Sequence, residues 1–324
     1  MIKAAIVGLG RWGQHLVDSV QGKSDLIRFV RGVSRNPEAT RAFGDKHGFG
    51  LTNSFQEVLD DPGVDAVVLA TPHSQHFREI VAAANAGKHV FVEKPMTLTS
   101  QDAIDAVRAC DQAGVALGIG FGRRLAPAFI AMQQAIAQGR IGDLLHVEAN
   151  FSGPGGYNLV KGVWRSTRKE SPAGGMTARG LHTLDGMIAL NGPVKSVFAY
   201  SDRRKIAVDI DDTTSMLLRF ANGTTGYLSS IFATANYWRI HAFGTDGWAE
   251  MRGERSLSIS DLKGNVETKE FDATSLERAI LENFAQAAKS QAPFVVTGTQ
   301  AINGIATLEA IDKSADAGAP VLID

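Results

Sequence analysis

A glycine loop limits the possible folds of this chain more than any other feature. The motif Gly8-Leu9-Gly10-Arg11-Trp12-Gly13 directly follows the strand-like run Ile2–Val7 and opens a helix-like run that ends at Val20. In this context the three glycines allow a tight turn, close approach of the backbone to a pyrophosphate, and close packing of helix on strand. Three nearby glycines also occur in ordinary turns, but the strand before them and the helix after them favour dinucleotide binding.

Residues 1–121 alternate short apolar runs with helix-like patterns. Strands are predicted at Ile2–Val7, Phe29–Val33, Asp65–Ala70, His89–Val92 and Val115–Ile119. Helices are predicted at Trp12–Val20, Phe77–Ala86 and Ser100–Ala113, with Gly87 and Gly114 as left-handed caps of the last two. Apolar strands separated by helices are typical of a parallel sheet covered on both faces. We therefore predict an α/β, doubly wound Rossmann domain.

The pattern changes in residues 122–324, where alternating strands are joined by tight turns. Two hairpins are predicted, Thr213–Phe220 with Thr224–Phe232 and Trp238–Phe243 with Trp248–Met251. Helices are predicted at about 125–138, 181–190, 275–289 and 299–317. This indicates an α+β domain with an open, mostly antiparallel sheet, whose helices cover one face. The other face would bury apolar area against a second copy, so we expect a homodimer or homotetramer.

Length and composition exclude several classes of protein. A chain of 324 residues suits two domains rather than one core. Its net charge of −1 gives no overall field to attract nucleic acid or an anionic membrane. The single cysteine, Cys110, lies in a helix-like stretch, so we expect a buried, inert thiol. The sequence has no signal-peptide pattern and no apolar run of membrane length, so we expect a cytoplasmic protein.

The residues after the second strand bear on the choice of cofactor. An NAD enzyme usually has an acid there to bind the adenosine ribose, whereas this chain has Ser34-Arg35. A serine hydroxyl and the planar guanidinium of arginine both suit a phosphate group. This favours NADP, with NAD still possible, and the alternative is an ordinary surface pair before the helix start at Pro37.

Further motifs extend over nearly the whole chain. They are Ala70-Thr71-Pro72-His73-Ser74-Gln75-His76, Glu93-Lys94-Pro95 after Gly87–Val90, Gly120–Pro127 with Arg123-Arg124, Trp164-Arg165, and Gly174-Gly175 through His182-Thr183-Leu184-Asp185. Together with the glycine loop, this ordered set resembles the glucose-fructose oxidoreductase, inositol dehydrogenase and rhizopine catabolism (Gfo/Idh/MocA) family. The resemblance implies an NAD(P)-dependent oxidoreductase acting on a hydroxyl or carbonyl carbon of a sugar, an inositol or a related polyol.

The resemblance also assigns roles to residues. Lys94 would lie beside the nicotinamide and the reacting group, at the carboxyl end of a strand, where its ammonium would polarise the substrate oxygen; a surface pair with Glu93 is the alternative. Trp164 and Arg165 would contact the cofactor, or form a hinge core with a solvated arginine. Arg124 would contact a cofactor phosphate or an acidic substrate, or lie on the surface. His76 would line the cofactor cleft, and no cysteine or acid cluster accompanies His73 and His76 to bind a metal.

His182 matches the family's active-site histidine and would exchange a proton at the substrate oxygen. The family's aspartate four residues earlier is absent, and Ala178 stands there, followed by Arg179. Asp185, one turn later, would orient His182, and Tyr157 on a glycine-rich loop is a further donor. The missing acid leaves two alternatives open beside the oxidoreductase. One is a protein that senses NADP(H) without turnover, and the other is the family's minor branch of NAD-retaining glycosidases.

Overall fold

The structure is a computed structural model that describes residues 1–323. Its chain divides into two units. The first comprises Met1–Gly122 and Ser275–Gly298, and the second comprises Arg123–Thr274 and the chain from Thr299 onward. Within these described residues, no helix is both long and apolar enough to cross a membrane.

Six parallel strands form the sheet of the first unit. They are β1 (Ile2–Val7), β2 (Ile27–Val33), β3 (Gly50–Thr52), β4 (Ala66–Leu69), β5 (His89–Val92) and β6 (Leu117–Ile119). Their spatial order is β3-β2-β1-β4-β5-β6. The winding direction reverses between β1 and β4, and open α/β sheets bind ligands at such a point. The predicted Rossmann sheet is confirmed.

Five helices cover this sheet before the chain leaves the unit. They are α1 (Arg11–Val20), α2 (Pro37–His47), α3 (Phe55–Leu59), α4 (His73–Asn85) and α5 (Ser100–Ala113). Gly87 and Gly114 have φ values of 70° and 65°, which confirms both as left-handed residues after a helix. Cys110 of α5 is buried as predicted, and burial raises the pKa of its thiol to about 12, which disfavours the reactive thiolate.

In the described part of the second unit, nine strands form one sheet. They are β7 (Leu144–Ser152), β8 (Val194–Asp202), β9 (Thr213–Phe220), β10 (Thr225–Ile231), β11 (Tyr237–Gly244), β12 (Gly247–Arg252), β13 (Ser256–Asp261), β14 (Val266–Glu270) and β15 (Val321–Leu322). Their order is β14-β13-β12-β11-β7-β10-β9-β8-β15. Both predicted hairpins form, as β9–β10 and β11–β12. Among the strand pairs of this sheet within residues 1–323, only β7–β10 is parallel, so the prediction of a mostly antiparallel sheet is confirmed.

The helices that follow β6 in the chain divide between the two sheets. They are α6 (Pro127–Ala137), α7 (Leu181–Asn191), α8 (Leu276–Ala288) and α9 (Gly298–Ala317). Asn303 and Ser314 of α9 accept hydrogen bonds from backbone N–H groups of the β8 region, at 2.8 and 3.0 Å. The prediction that α8 also covers this sheet is wrong. Its Phe284 packs edge-on against Phe91 of β5, with ring centroids 5.6 Å apart, so its apolar face covers the first sheet.

Candidate active site

The three glycines of the first loop perform three separate tasks. Gly8 has a φ of 95°, and a Cβ there would lie 2.7 Å from the carbonyl oxygen of Ala70, so the loops after β1 and β4 touch. A Cβ at Gly13 would lie 2.0 Å from the carbonyl oxygen of Gly8, which makes glycine necessary where α1 crosses the loop. A Cβ at Gly10 would meet nothing within 4 Å. Gly10 therefore leaves space beside the backbone, as a bound pyrophosphate requires.

The amino terminus of α1 suits an anion. Gly10 is its N-cap and supplies no side-chain hydrogen bond, and the first turn has no acidic residue. The first N–H groups of a helix have no partner within it and carry partial positive charge, so they favour phosphate oxygens. Around them Leu9 is buried, Arg11 is exposed, and Trp12 packs near His15 with ring centroids 5.1 Å apart. The loop therefore fits a dinucleotide.

Ser34 and Arg35 follow β2, where an adenosine ribose would be recognised. The Ser34 hydroxyl donates to the carbonyl of Asn36 at 3.1 Å, and the Asn36 side chain caps α2. Arg35 is exposed, and no hydrogen bond or ion pair ties it to another residue of 1–323. An exposed guanidinium with no carboxylate partner suits a phosphate monoester.

His76 links two loops at the carboxyl edge of the first sheet. It is fully buried, with Nδ1 2.8 Å from the carbonyl oxygen of Pro95 and Nε2 3.1 Å from that of Thr71. The His73 ring lies edge-on to it at 5.7 Å. Both nitrogens of His76 thus face backbone, and the imidazole braces the loops after β4 and β5. Among the described residues, no cluster of histidine, cysteine or acid side chains is placed to hold a metal.

A buried carboxyl group supports the loop after β4. The Thr71 hydroxyl donates to Glu79 of α4 at 2.5 Å, while Pro72 forms the N-cap of this helix. Burial raises the pKa of Glu79 to about 7, although the Thr71 hydrogen bond acts in the opposite direction. Sequence reasoning missed Glu79, because nothing in its local pattern shows that this position on the helix is buried.

Lys94 directly follows β5. It is half-buried, and a cis peptide bond joins it to Pro95. Its neighbour Glu93 lies against Gly120, where a Cβ would be 2.8 Å from the carboxylate. The Glu93 side chain therefore occupies the space over this glycine.

His182 lies in the second unit, in the first turn of α7. The preceding segment, Met176–Gly180, is a π-helix, a form that often marks functional sites. The His182 ring lies 6.2 Å from that of Phe151 at the end of β7. Ala178, in place of the family's aspartate, packs against a cluster of apolar side chains that includes Ile206, Val208, Ile210 and Phe232. An apolar wall therefore stands where that acid would be.

Arg124 and Asp185 form a buried ion pair. The guanidinium donates from Nε and Nη2 to the two carboxylate oxygens at 2.6 and 2.9 Å. Burial raises the pKa of Asp185, and the charge of Arg124 and its hydrogen bonds oppose this. The structure thus brings together two candidates that the sequence placed in separate roles. Both oxygens of Asp185 accept from Arg124, which is shielded from solvent.

The remaining candidates of the second unit lie nearer its surface. Tyr157 is 57% exposed, and its hydroxyl donates to the carbonyl of Ala233 at 3.1 Å. Trp164 is half-buried, and the exposed Arg165 guanidinium lies over its ring, 4.6 Å from the centroid. These side chains are accessible enough to contact a ligand.

Comparison with known proteins decides the family. Residues 2–121 match the model "Oxidoreductase family, NAD-binding Rossmann fold", and residues 129–250 match "GFO/IDH/MocA C-terminal domain". The chain belongs to the Gfo/Idh/MocA family of oxidoreductases. This family membership confirms the predicted resemblance and identifies the first domain as an NAD-binding Rossmann domain.

Members of this family from several organisms are similar to the chain. It is 29% identical to a 1,5-anhydro-D-fructose reductase of Ensifer adhaerens over 301 residues, which are 88% of each protein. It is 28% identical to a D-xylose 1-dehydrogenase (NADP(+)) of Haloferax volcanii, over 90% of this chain and 91% of the relative. The crystal structure of an aldose-aldose oxidoreductase from Caulobacter crescentus, complexed with glycerol, matches with a TM-score of 0.89 at 25% identity, covering 99% of both chains.

Proposed function

We propose that this family member is an NADP(H)-dependent oxidoreductase that transfers a hydride to or from a hydroxyl or carbonyl carbon of a sugar, an inositol or a related polyol. The observation that carries the proposal is the glycine loop, in which the space beside Gly10 adjoins a helix amino terminus with no side-chain cap. The relatives named above are reductases and dehydrogenases of sugars and anhydrosugars. The bound nicotinamide would accept or donate the hydride.

NADP is proposed over NAD because of the charge after β2. Arg35 would pair with the 2′-phosphate and Ser34 would hydrogen-bond to it, whereas a ribose with free hydroxyls would be better bound by an acid. One similar relative is named for its use of NADP(+). On this proposal, the loop residues Thr71, Pro72 and His73 lie along the cofactor, and His76 holds their backbone in place.

Two side chains are proposed to act on the substrate oxygen. The ammonium of Lys94 would stabilise the negative charge that develops on this oxygen during hydride transfer. His182 would take the proton from an alcohol or return it to a carbonyl, since an imidazole exchanges protons near neutral pH. Arg124 and Asp185 would act as positioning residues, because their ion pair anchors α7, which bears His182 one turn before Asp185. Tyr157, Trp164 and Arg165 are proposed as ligand contacts.

A sensor without turnover is a second candidate. It is favoured by Ala178, which stands in place of the family's aspartate and packs against an apolar cluster. The chain therefore lacks the acid that would accept a proton together with His182. A decrease or increase in absorbance at 340 nm distinguishes the two functions when purified protein and NADPH or NADP are mixed with aldoses, ketoses, inositols and their oxidised forms. Turnover supports the oxidoreductase, and tight NADPH binding without turnover on any compound supports the sensor.

We further propose a homodimer or homotetramer in the cytoplasm. The second sheet exposes large apolar side chains on neighbouring strands, where Leu217 of β9 pairs with Tyr227 of β10. Tyr200 of β8 and Leu145 of β7 are also exposed. Apolar area of this kind is typical of a surface that associates with a second copy. Sedimentation equilibrium would measure the state, and a monomer at micromolar concentration would contradict the proposal.

A further inference from the structure

The second unit contains an open cavity that none of the roles proposed above uses. Its volume is about 640 Å³, and four arginines contribute to its lining. They are Arg123, Arg179, Arg252 and Arg255. A cavity with several guanidinium groups attracts an anion, provided that the arginine charges are not already neutralised by carboxylates.

Two of these arginines lie near carboxylates, and a third is exposed to solvent. Arg252 donates to Glu250 at 2.9 Å, and Arg123 lies 4.0 Å from Glu254 while stacking over the Phe151 ring at 4.9 Å. Arg255 is exposed and donates to the backbone carbonyl of Phe271 at 2.7 Å. The charges of Arg123 and Arg252 thus have carboxylates nearby, and water and salt screen the exposed charge of Arg255.

Arg179 differs from the other three. It is half-buried, and no carboxylate among residues 1–323 pairs with it. Within that part of the chain, its guanidinium hydrogen bonds run from Nη1 alone, to the carbonyl of Ser152 and to Asn236, both at 3.4 Å. Its Nε and Nη2 donors are therefore available to a ligand. Burial without a compensating carboxylate lowers the pKa of Arg179, so the group would gain from an anionic partner.

The surroundings of Arg179 hold its guanidinium in a fixed place. The group lies over the face of Phe151, 5.2 Å from the ring centroid. A Cβ at Gly153 would lie 2.6 Å from its Nη1 atom, so glycine at this position leaves room for the guanidinium. A planar donor group held between a ring and the backbone suits bidentate binding of a carboxylate.

The cavity adjoins the proposed proton-exchanging residue. Arg179 precedes His182 by three residues, across the junction of the π-helix and α7. Phe151, which lines the cavity, also lies 6.2 Å from the His182 ring. Phe151 therefore contacts both Arg179 and His182, and links the cavity to the proposed proton-exchanging residue.

We propose that Arg179 binds the carboxylate of an acidic substrate, a uronic or aldonic acid, in this cavity. The proposal rests on the proposed oxidoreductase function and names its substrate class. The adjacent Nε and Nη2 donors of Arg179 match the two oxygens of a carboxylate, and binding of a phosphate monoester by the same donors is an outcome of the test. Arg179 is thus a specificity-determining residue.

The test compares acidic and neutral substrates of the same stereochemistry. We would measure kcat/KM for glucuronate against glucose and galacturonate against galactose, with glucose 6-phosphate as the phosphate probe. The wild-type protein should prefer the acids. Arg179→Gln should lower the acid-to-neutral ratio by about 10- to 100-fold, as expected for loss of a charge-assisted bidentate contact.

A second variant and a control support this test. Gly153→Ala, which displaces the guanidinium, should also lower the acid-to-neutral ratio. Arg140→Gln is the matched control, because that exposed arginine pairs with Glu267 away from the cavity.

A second readout does not require turnover. Trp238 lines the same cavity, so its fluorescence should change on titration with glucuronate, and Trp238→Phe should remove that change. If no compound is turned over but this titration saturates and is lost in Arg179→Gln, the anion site stands and the proposed oxidoreductase function fails. An acid-to-neutral ratio unchanged by Arg179→Gln, a preference for glucose 6-phosphate, or a variant that loses only NADPH affinity would overturn the assignment.

Discussion

The guanidinium of Arg124 and the carboxylate of Asp185 meet in a two-pronged hydrogen-bonded pair, although 61 residues of chain separate them. The two side chains are 3% and 6% exposed, so water contributes almost nothing to the solvation of either charge. Each charge therefore depends on the other for its electrostatic stabilisation. The pair joins the segment that follows β6 to the helix that bears His182.

Removal of one partner should destabilise the protein strongly. Asp185→Leu or Arg124→Met leaves a buried charge without its partner, and we expect either change to lower the free energy of unfolding by about 3–5 kcal/mol. The double variant removes both charges and should be more stable than either single variant. Urea unfolding followed by circular dichroism measures all three. Single variants within about 1 kcal/mol of the wild type would show that the charges are solvated after all.

The pKa of Glu79 predicts a pH dependence of stability. The folded-state pKa is about 7, above the ordinary value of 4.5, so the unfolded chain releases this proton first as the pH rises. The contribution of Glu79 to stability is thus fully present below pH 4.5 and is lost as the pH passes 7, by at most about 3 kcal/mol. Glu79→Gln keeps an acceptor for Thr71 but does not titrate.

Glu79→Gln should therefore gain stability relative to the wild type between pH 5 and pH 8. Thermal unfolding at a series of pH values tests this, with Glu57→Gln as a control on the exposed surface of α3. Parallel pH profiles of Glu79→Gln and the wild type would contradict the assignment.

The same substitution should have different effects at two glycines of the first loop, on stability at Gly13 and on cofactor affinity at Gly10. Gly13→Ala places a methyl group against the carbonyl of Gly8, so we expect a loss of about 1–3 kcal/mol in the free energy of unfolding. Gly10→Ala meets no protein atom and should keep its stability, but its methyl group would occupy the space proposed for the pyrophosphate. NADPH affinity should fall at least tenfold, which is about 1.4 kcal/mol. Equal NADPH affinity of Gly10→Ala and the wild type would argue against a cofactor in that space.

Arg35 should determine the preference between the two nicotinamide cofactors. Arg35→Asp replaces the proposed phosphate contact by a carboxylate that repels phosphate and accepts hydrogen bonds from ribose hydroxyls. The ratio of NADP to NAD affinity should reverse, which isothermal titration with both cofactors measures. Arg41→Asp is the control, since that arginine already pairs with Glu38 on α2. An unchanged ratio would remove the phosphate assignment.

Lys94 should affect the chemical step rather than cofactor binding. Lys94→Ala should lower kcat by about 10²–10⁴-fold while the Kd of NADPH changes little, because the proposed charge acts on the transition state. Steady-state kinetics and fluorescence titration with NADPH separate these effects. Lys23→Ala provides an exposed control. A variant that raises KM at unchanged kcat would assign Lys94 to substrate binding instead.

Local motifs explain why much of the fold was predictable. The glycine loop, the caps at Gly87 and Gly114, and the hairpin turn at Asn222-Gly223 each depend on residues close in sequence. An amphipathic helix, by contrast, does not specify which sheet it covers, and α8 was therefore assigned to the wrong one. Its partner Phe91 lies far away in the chain.

The candidate site shows the same limit. The motif around Lys94 and the motif around His182 are both visible in the sequence. The environment of each side chain, however, depends on distant residues. The space for the Arg179 guanidinium is left by Gly153, and the burial of Glu79 results from packing in three dimensions. A one-dimensional pattern identified Ala178 as a departure from the family, yet only the fold shows the apolar cluster that surrounds it.

The return of α8 to the first sheet has a consequence for how this protein is made. On the ribosome, all six strands of that sheet emerge long before the helix that shields Phe91. Part of the apolar surface of the amino-terminal sheet therefore stays exposed to water while almost the whole of the second unit is translated. Synthesis of the cofactor domain begins first, but the domain is completed only after most of the second unit has been made. A chaperone would therefore be needed most while the chain is still nascent.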